Sequence, residues 1–196
     1  DIGVHKLVNV MPHNAKTSDA VIQGLVCAYD GQTGTPLFIL DGPTVTERRT
    51  AAVSMMGLHL LWDHPSEVTV IGSGVQAHGH IQALLSLYPT ARIHLLARNQ
   101  AKAQALLHEL KASKTVQLVR SIPKSSDVII TNTSSSDPIY SEVANKERLI
   151  IAVGAYTPAM AEISTQTVHN SQLFIDNLDA AQHEAGDYIQ ANVNWS

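Results

Sequence analysis

Apolar positions follow two different rhythms along the chain. In residues 1–62 they form two strand-like runs and one helical stripe. Val21–Tyr29 and Pro36–Leu40 read as strands, and Asp30-Gly31-Gln32-Thr33-Gly34 between them has the composition of a hairpin loop. Thr44-Val45-Thr46-Glu47 then fits a capping box, a hydroxyl followed three residues later by a carboxylate. That start predicts a helix from about Val45 to Trp62, with Ala51, Met55, Leu58 and Trp62 on one stripe.

From Asp63 onward short apolar runs alternate with amphipathic ones. The pattern predicts strands at Val68–Ile71, Arg92–Leu96, Val116–Val119, Val128–Thr131, Leu149–Val153 and Leu173–Ile175. Helices are predicted at Val75–Tyr88 and Gln100–Ala112, with a short turn near Pro123–Ser126. Strands buried on both faces and joined through helices imply a parallel sheet. The fold class expected is therefore α/β, a Rossmann-like doubly wound parallel sheet over 63–196. Part of an α+β domain precedes it over 1–62, and the junction is expected at Asp63-His64-Pro65-Ser66.

Composition narrows the function classes. With 44% hydrophobic and 15% charged residues, the chain has the make-up of an ordinary soluble globular protein. A net charge of −4 offers no basic face for nucleic acid, so none is expected as a partner. No apolar run approaches the ~20 residues of a membrane-spanning helix, and no membrane partner is expected. Cys27 is the single cysteine, which excludes an internal disulfide and fits a reducing, cytoplasmic setting. The residues from Asp1 to Lys6 do not resemble a signal peptide, and the chain begins without Met, as a fragment or a processed product would. The ten histidines are scattered; His78 and His80, two apart on a predicted helix, point in different directions, and no metal site is expected.

The chemistry begins where the first parallel strand ends. Gly72-Ser73-Gly74-Val75-Gln76-Ala77 fits G-x-G-x-x-G/A, after a strand and at the opening of a helix. Gly72 permits the tight turn, Gly74 lets backbone approach a pyrophosphate, and Ala77 allows close packing of helix on strand. Unpaired N–H groups of the first helical turn face the anion. The alternative is a glycine turn that holds no ligand.

Which dinucleotide is indicated by the end of the next strand. An NAD site places an acid about 20 residues on, against the ribose hydroxyls. Here Leu95-Leu96-Ala97-Arg98-Asn99 carries none, and the Arg98 guanidinium suits a 2′-phosphate. NADP(H) is favoured, with NAD(H) open; alternatively, Arg98 is merely a solvated residue after a strand. Thr131, Asn132 and Thr133 end the fourth parallel strand, at the edge where this architecture binds ligands, as cofactor contacts or as loop caps.

Several segments together resemble the ornithine cyclodeaminase/μ-crystallin family. Lys6-Leu7-Val8-Asn9-Val10-Met11-Pro12-His13-Asn14 looks like its K-x-V-N-x-x-P-x-N segment. Leu40-Asp41-Gly42 followed by Thr46-Glu47-Arg48-Arg49-Thr50-Ala51-Ala52 looks like its L-D-G and T-x-x-R-T-A-A segments. The glycine turn with His80 resembles its dinucleotide turn, and Val153-Gly154-Ala155-Tyr156-Thr157-Pro158 with Glu162 resembles its segment beside the nicotinamide. Asp176-Asn177 and His183-Glu184-Ala185-Gly186-Asp187 also follow the pattern. Each motif is loose, but their order and spacing are specific. Typical members begin some tens of residues before Lys6 and continue past Ser196, so the chain is expected to be the central part of a longer protein.

The resemblance implies an α+β substrate-binding and dimerisation domain in 1–62, and hence a homodimer. It implies a small imino or amino acid as substrate, with Lys6 and Arg49 on its carboxylate. Only the R-T-A-A context separates Arg49 from Arg48; by residue type alone Lys6 is an ordinary surface lysine. An arginine near a helix start also adds the positive end of the helix dipole. Val153, Gly154 and Ala155 are implied at the nicotinamide. Cyclodeaminases resemble this chain but carry Asp where Ala155 stands, and a methyl can neither accept a proton nor orient water. The expected activity is therefore NAD(P)H-dependent reduction of a cyclic ketimine, 1-pyrroline-2-carboxylate or 1-piperideine-2-carboxylate, to L-proline or L-pipecolate. The rivals are an amino-acid dehydrogenase acting on alanine or a basic amino acid, ornithine cyclodeamination, and a non-catalytic NADPH-binding crystallin-like protein.

Overall fold

A computed structural model of the chain describes residues 1–11, 13, 14, 17 and 20–195. Pro12, part of the motif around Lys6, lies outside them. The chain divides into two compact units, Asp1–Ala51 and Ala52–Ser196.

The first unit is an antiparallel sheet in the order β1-β2-β3, followed by the opening of a helix. β1 (Ile2–Val10) pairs with β2 (Ile22–Asp30), and β2 with β3 (Pro36–Asp41). The expected hairpin loop is present: Asp30 Oδ1 accepts from the N–H groups of Gln32 and Thr33 at 3.0 and 2.8 Å. β1 is not among the strands predicted from sequence. Its apolar residues alternate at Ile2, Val4, Val8 and Val10, but Lys6 and Leu7 reverse the phase in the middle, and most of its residues are exposed, so no unbroken run marks it.

Helix α1 (Gly42–Leu61) starts earlier than the capping-box pattern predicts. Asp41, rather than Thr44, supplies the cap: its Oδ2 accepts from the Thr44 N–H at 2.8 Å, while Thr46 donates its hydroxyl back to the Gly42 carbonyl. The division between the units falls within α1 instead of at Asp63–Ser66. Met55 and Leu58 belong to the same core cluster as Val68 and Val70, and the Trp62 indole donates to Asp127. The second part of α1 is thereby committed to the second unit.

That unit is a five-stranded parallel sheet in the order β6-β5-β4-β7-β8. The strands are β4 (Glu67–Ile71), β5 (Arg92–Leu96), β6 (Val116–Val119), β7 (Val128–Thr131) and β8 (Leu149–Ala152). Helices α2 (Val75–Leu87) and α3 (Gln100–Glu109) connect the first three. Alternate strand residues feed two cores: Val68, Val70, Ile93, Leu95, Val128 and Ile130 pack with α1, α2 and α3. Ile71 and Ile129 face the other side, with Tyr140, Ile163 and Val168. Covered on both faces, the sheet has the order 3-2-1-4-5 of a Rossmann-like α/β fold.

Beyond β8 come three short helices, α4 (Thr165–His169), α5 (Leu178–Glu184) and α6 (Gly186–Gln190), which the apolar pattern does not predict. The expected strand at Leu173–Ile175 is absent. The Phe174 carbonyl accepts from the Tyr188 hydroxyl at 3.1 Å instead of joining a ladder, and all three side chains are exposed.

Candidate functional site

The crossing order places β4 between β5 and β7, so the connections leaving β4 and β7 run to opposite sides. Ligands of open parallel sheets bind at the carboxyl edge beside such a switch point. Gly72-Ser73-Gly74 lies there. The Gly72 N–H donates to the Leu96 carbonyl at 2.9 Å, and the Asn132 N–H to the Ile71 carbonyl at 2.7 Å, tying the ends of β5, β4 and β7 together.

The two glycines serve different needs. Gly72 has φ of 127°, and a Cβ on it would stand 2.4 Å from the Asn132 carbonyl oxygen. Gly74 has an ordinary extended conformation at the N-cap of α2 and open space where its Cβ would be. No side chain caps α2 there, so its first N–H groups are left for a partner from outside the helix. Val75 is exposed, whereas Ala77 is fully buried against the sheet.

Orphaned polar atoms mark the same edge. Neither the oxygen nor the nitrogen of the buried Asn132 amide has a partner among the described residues, nor has Gln76 Oε1. Leaving such atoms unpaired costs about 1–3 kcal/mol each, which a polar ligand could offset. An open backbone cradle at a helix N-terminus, with unpaired amides beside it, fits the phosphates and polar ring substituents of a dinucleotide.

On the β5 side Arg98 is exposed just past the strand end. Asn99 Oδ1 accepts from the Lys102 N–H at 3.0 Å and caps α3. On the other side the ends of β7 and β8 meet at a buried carboxylate. Glu162 accepts from the N–H and hydroxyl of Thr133, both at 2.6 Å, and from the Gly154 N–H at 2.6 Å. Burial pushes its carboxyl above the usual carboxylate range, against the hydrogen bonds from Thr133 and Gly154 that favour the charge. Asp187 is also pushed up by burial; its Oδ1 accepts from the N–H groups of Glu162 and Ile163 at 2.7 and 2.8 Å. Ala155 is buried, and its carbonyl accepts from the Gly186 N–H at 3.0 Å.

The second unit thus gathers Gly72–Ala77, Thr131–Thr133 and Val153–Ala155 along one edge of its sheet. Lys6 and Arg49 belong to the first unit, where both are exposed. Arg49 lies about two turns into α1, because that helix starts at Gly42. The helix dipole acts within the first turn, so the expected help from it does not apply. His80, for which the sequence signals no contact, is fully buried. Its Nδ1 lies 2.7 Å from the Gln76 carbonyl and its Nε2 2.8 Å from the Ser54 hydroxyl.

The family model described as Ornithine cyclodeaminase/mu-crystallin family matches residues 2–194. The chain is 44% identical over its whole length to Delta(1)-pyrroline-2-carboxylate reductase 1 of Burkholderia multivorans, covering 64% of that protein. It is likewise 44% identical to a Delta(1)-pyrroline-2-carboxylate/Delta(1)-piperideine-2-carboxylate reductase of Azospirillum brasilense, again covering 64% of it. Among solved structures, a Thermococcus litoralis Delta(1)-pyrroline-2-carboxylate reductase in complex with NADH and L-proline superposes with a TM-score of 0.84 at 24% identity. That match covers 96% of this chain and 60% of the other.

Proposed function

Because the chain belongs to the ornithine cyclodeaminase/mu-crystallin family, we propose that it is part of an NAD(P)H-dependent reductase of cyclic ketimines. The observation that carries the proposal is the glycine turn at the switch point: Gly72 without room for a side chain, Gly74 opening onto an uncapped helix, and unpaired amides beside them. When bound, the reduced coenzyme supplies the hydride that turns the C=N carbon of 1-pyrroline-2-carboxylate or 1-piperideine-2-carboxylate into C2 of L-proline or L-pipecolate.

The chain's own residues bind and orient. Backbone N–H groups at the start of α2 hold the pyrophosphate, and Arg98, with no acid beside it, holds a 2′-phosphate, so NADP(H) is preferred. Thr131, Asn132, Thr133 and the segment Val153–Ala155 line the nicotinamide end. Arg49 pairs its planar fork with the substrate carboxylate, and Lys6 adds a point charge. Ala155 offers no group to move a proton or hold water, which favours hydride transfer over cyclodeamination. The apolar side chains exposed on the first unit's sheet, among them Leu7, Leu25, Phe38 and Ile39, support assembly as a homodimer. The free Cys27 supports a reducing, cytoplasmic location.

The test is a panel of cyclic ketimines and amino acids, assayed in both directions on the full-length gene product with NADPH and NADH. Reduction of a five- or six-membered cyclic ketimine, faster than any amino-acid oxidation at near-neutral pH, is expected. No reduction of any of them with either coenzyme overturns the proposal. Tight NADPH binding without turnover would instead assign the non-catalytic role.

A further inference from the structure

Glu162 is a buried carboxylate that the proposed reaction leaves unused. It is 0% exposed and comes from neither strand, yet its two oxygens are divided between two strand ends. Oε1 takes both donors of Thr133, past β7, and Oε2 takes the N–H of Gly154, past β8. The two segments close around it: a Cβ on Gly154 would lie 2.0 Å from the Thr133 carbonyl oxygen and 2.6 Å from the Glu162 carboxyl carbon. The main chain of Glu162 is held just as firmly. Asp187 accepts from its N–H, and its carbonyl accepts from the N–H groups of Ile139 and Tyr140 at 2.8 and 2.9 Å.

With no exposed surface and both oxygens already engaged, Glu162 offers no atom for proton exchange with a substrate, which argues against a general acid. As simple packing, a buried carboxylate is a costly choice, since an apolar side chain could fill the same space. What a carboxylate alone does is accept from both sides at once, because it carries no donor. The sheet order says which part of the site this joint governs. With pyrophosphate at Gly72–Gly74 and the adenosine half toward Arg98, just past β5, a dinucleotide extends its redox half across the ends of β7 and β8.

We propose that Glu162 is a positioning residue for hydride transfer: by joining Thr133 to Gly154 it sets the seam on which the nicotinamide ring lies, without touching the ring. The inference rests on the coenzyme reading above. It goes beyond that reading by assigning the geometry of transfer to one buried side chain.

The test is Glu162→Gln in the full-length gene product. The amide keeps the shape but turns an N–H2 either toward the Gly154 N–H or toward both donors of Thr133. Three quantities are compared with the unaltered protein: the amide proton shifts of Gly154 and Thr133 by NMR, the coenzyme dissociation constant, and the single-turnover rate of hydride transfer. The Gly154 amide proton is expected far downfield in the unaltered protein, moving when NADPH is added, and displaced upfield in the variant. Coenzyme affinity should change little while hydride transfer slows about 10- to 100-fold, the scale of a small misplacement of reacting groups. Equal losses in affinity and transfer, or an unchanged transfer rate, overturn the proposal. Should the variant fail to fold, the unaltered protein decides: an ordinary Gly154 shift that ignores NADPH overturns the inference, and a downfield, coenzyme-sensitive one supports it. Failure of the unaltered protein to bind either coenzyme sinks the coenzyme reading itself, a different outcome from binding with an unchanged transfer rate in the variant.

Discussion

The carbonyl oxygen of Asn132 crowds the place where a side chain on Gly72 would begin, 2.4 Å from that absent Cβ. Gly74, two residues on, has nothing within 4 Å of the same point. The two glycines of one motif should therefore fail differently. Gly72→Ala must distort the turn or the end of β7, at a cost of about 1–3 kcal/mol, and coenzyme binding should be lost with stability. Gly74→Ala should leave the melting temperature nearly unchanged while weakening coenzyme binding at least about tenfold, because its methyl stands in the cradle. Calorimetric melting with a coenzyme titration separates the two. Unchanged affinity in Gly74→Ala would remove the phosphates from this turn.

Arg98 carries the choice of coenzyme in the proposed site. Removing a guanidinium paired with a phosphate costs about 2 kcal/mol, roughly thirtyfold in affinity. Arg98→Ala should weaken NADPH by that amount and leave NADH nearly untouched, as measured by dissociation constants for both. Tighter binding of NADH than NADPH by the unaltered protein would show that Arg98 has no such partner.

The parts of this fold readable in advance are those where the chain is buried on a regular period. Val68–Ile71 running into Gly72 announces β4 and its turn, and Ala77, Ile81 and Leu84 announce the buried stripe of α2. β1 stays hidden because Lys6 and Leu7 reverse its alternation in the middle. The apolar triplet Leu173–Ile175 misleads in the opposite sense, since hydrophobicity without a neighbouring strand makes no ladder. At the site the backbone cradle is legible because glycine spacing encodes it locally. The Glu162 joint is not: Thr133 lies 29 residues away on another strand end, and the family resemblance that groups Glu162 with Gly154 does not show that its carboxylate joins the two.

Arg49 and Lys6 should control substrate and not coenzyme. Arg49→Ala removes the charge-assisted fork proposed for the carboxylate, worth roughly 3 kcal/mol, so kcat/KM for the imine should fall about a hundredfold. The coenzyme dissociation constant should stay where it is. Arg48→Ala, one residue earlier in α1, should affect neither. Parallel losses of coenzyme affinity and reduction in Arg49→Ala would undo the assigned role.

A half-buried carboxylate, Asp127, and a buried one, Asp187, should respond to pH with opposite signs. Burial would raise the Asp127 carboxyl, but the N–H groups of Ser66 and Glu67, the Trp62 indole and the Ser66 hydroxyl outweigh it and hold the group below the usual range. A group lowered on folding gives stability that is complete above its ordinary value and lost as pH falls through the folded one. Asp127→Asn should therefore destabilise most at neutral pH, with the deficit shrinking in acid. Asp187 is the reverse case, raised by burial over the opposing N–H bonds from Ile163 and Glu162. Its contribution is complete below the ordinary carboxylate value and lost as pH rises through the higher folded one. An asparagine there keeps an acceptor oxygen and never ionises, so Asp187→Asn should gain stability relative to the unaltered protein as pH rises across that window. Urea unfolding midpoints over a pH series measure both differences. A common sign of pH dependence in the two variants would mean that one of these carboxylates does not sit in the environment described.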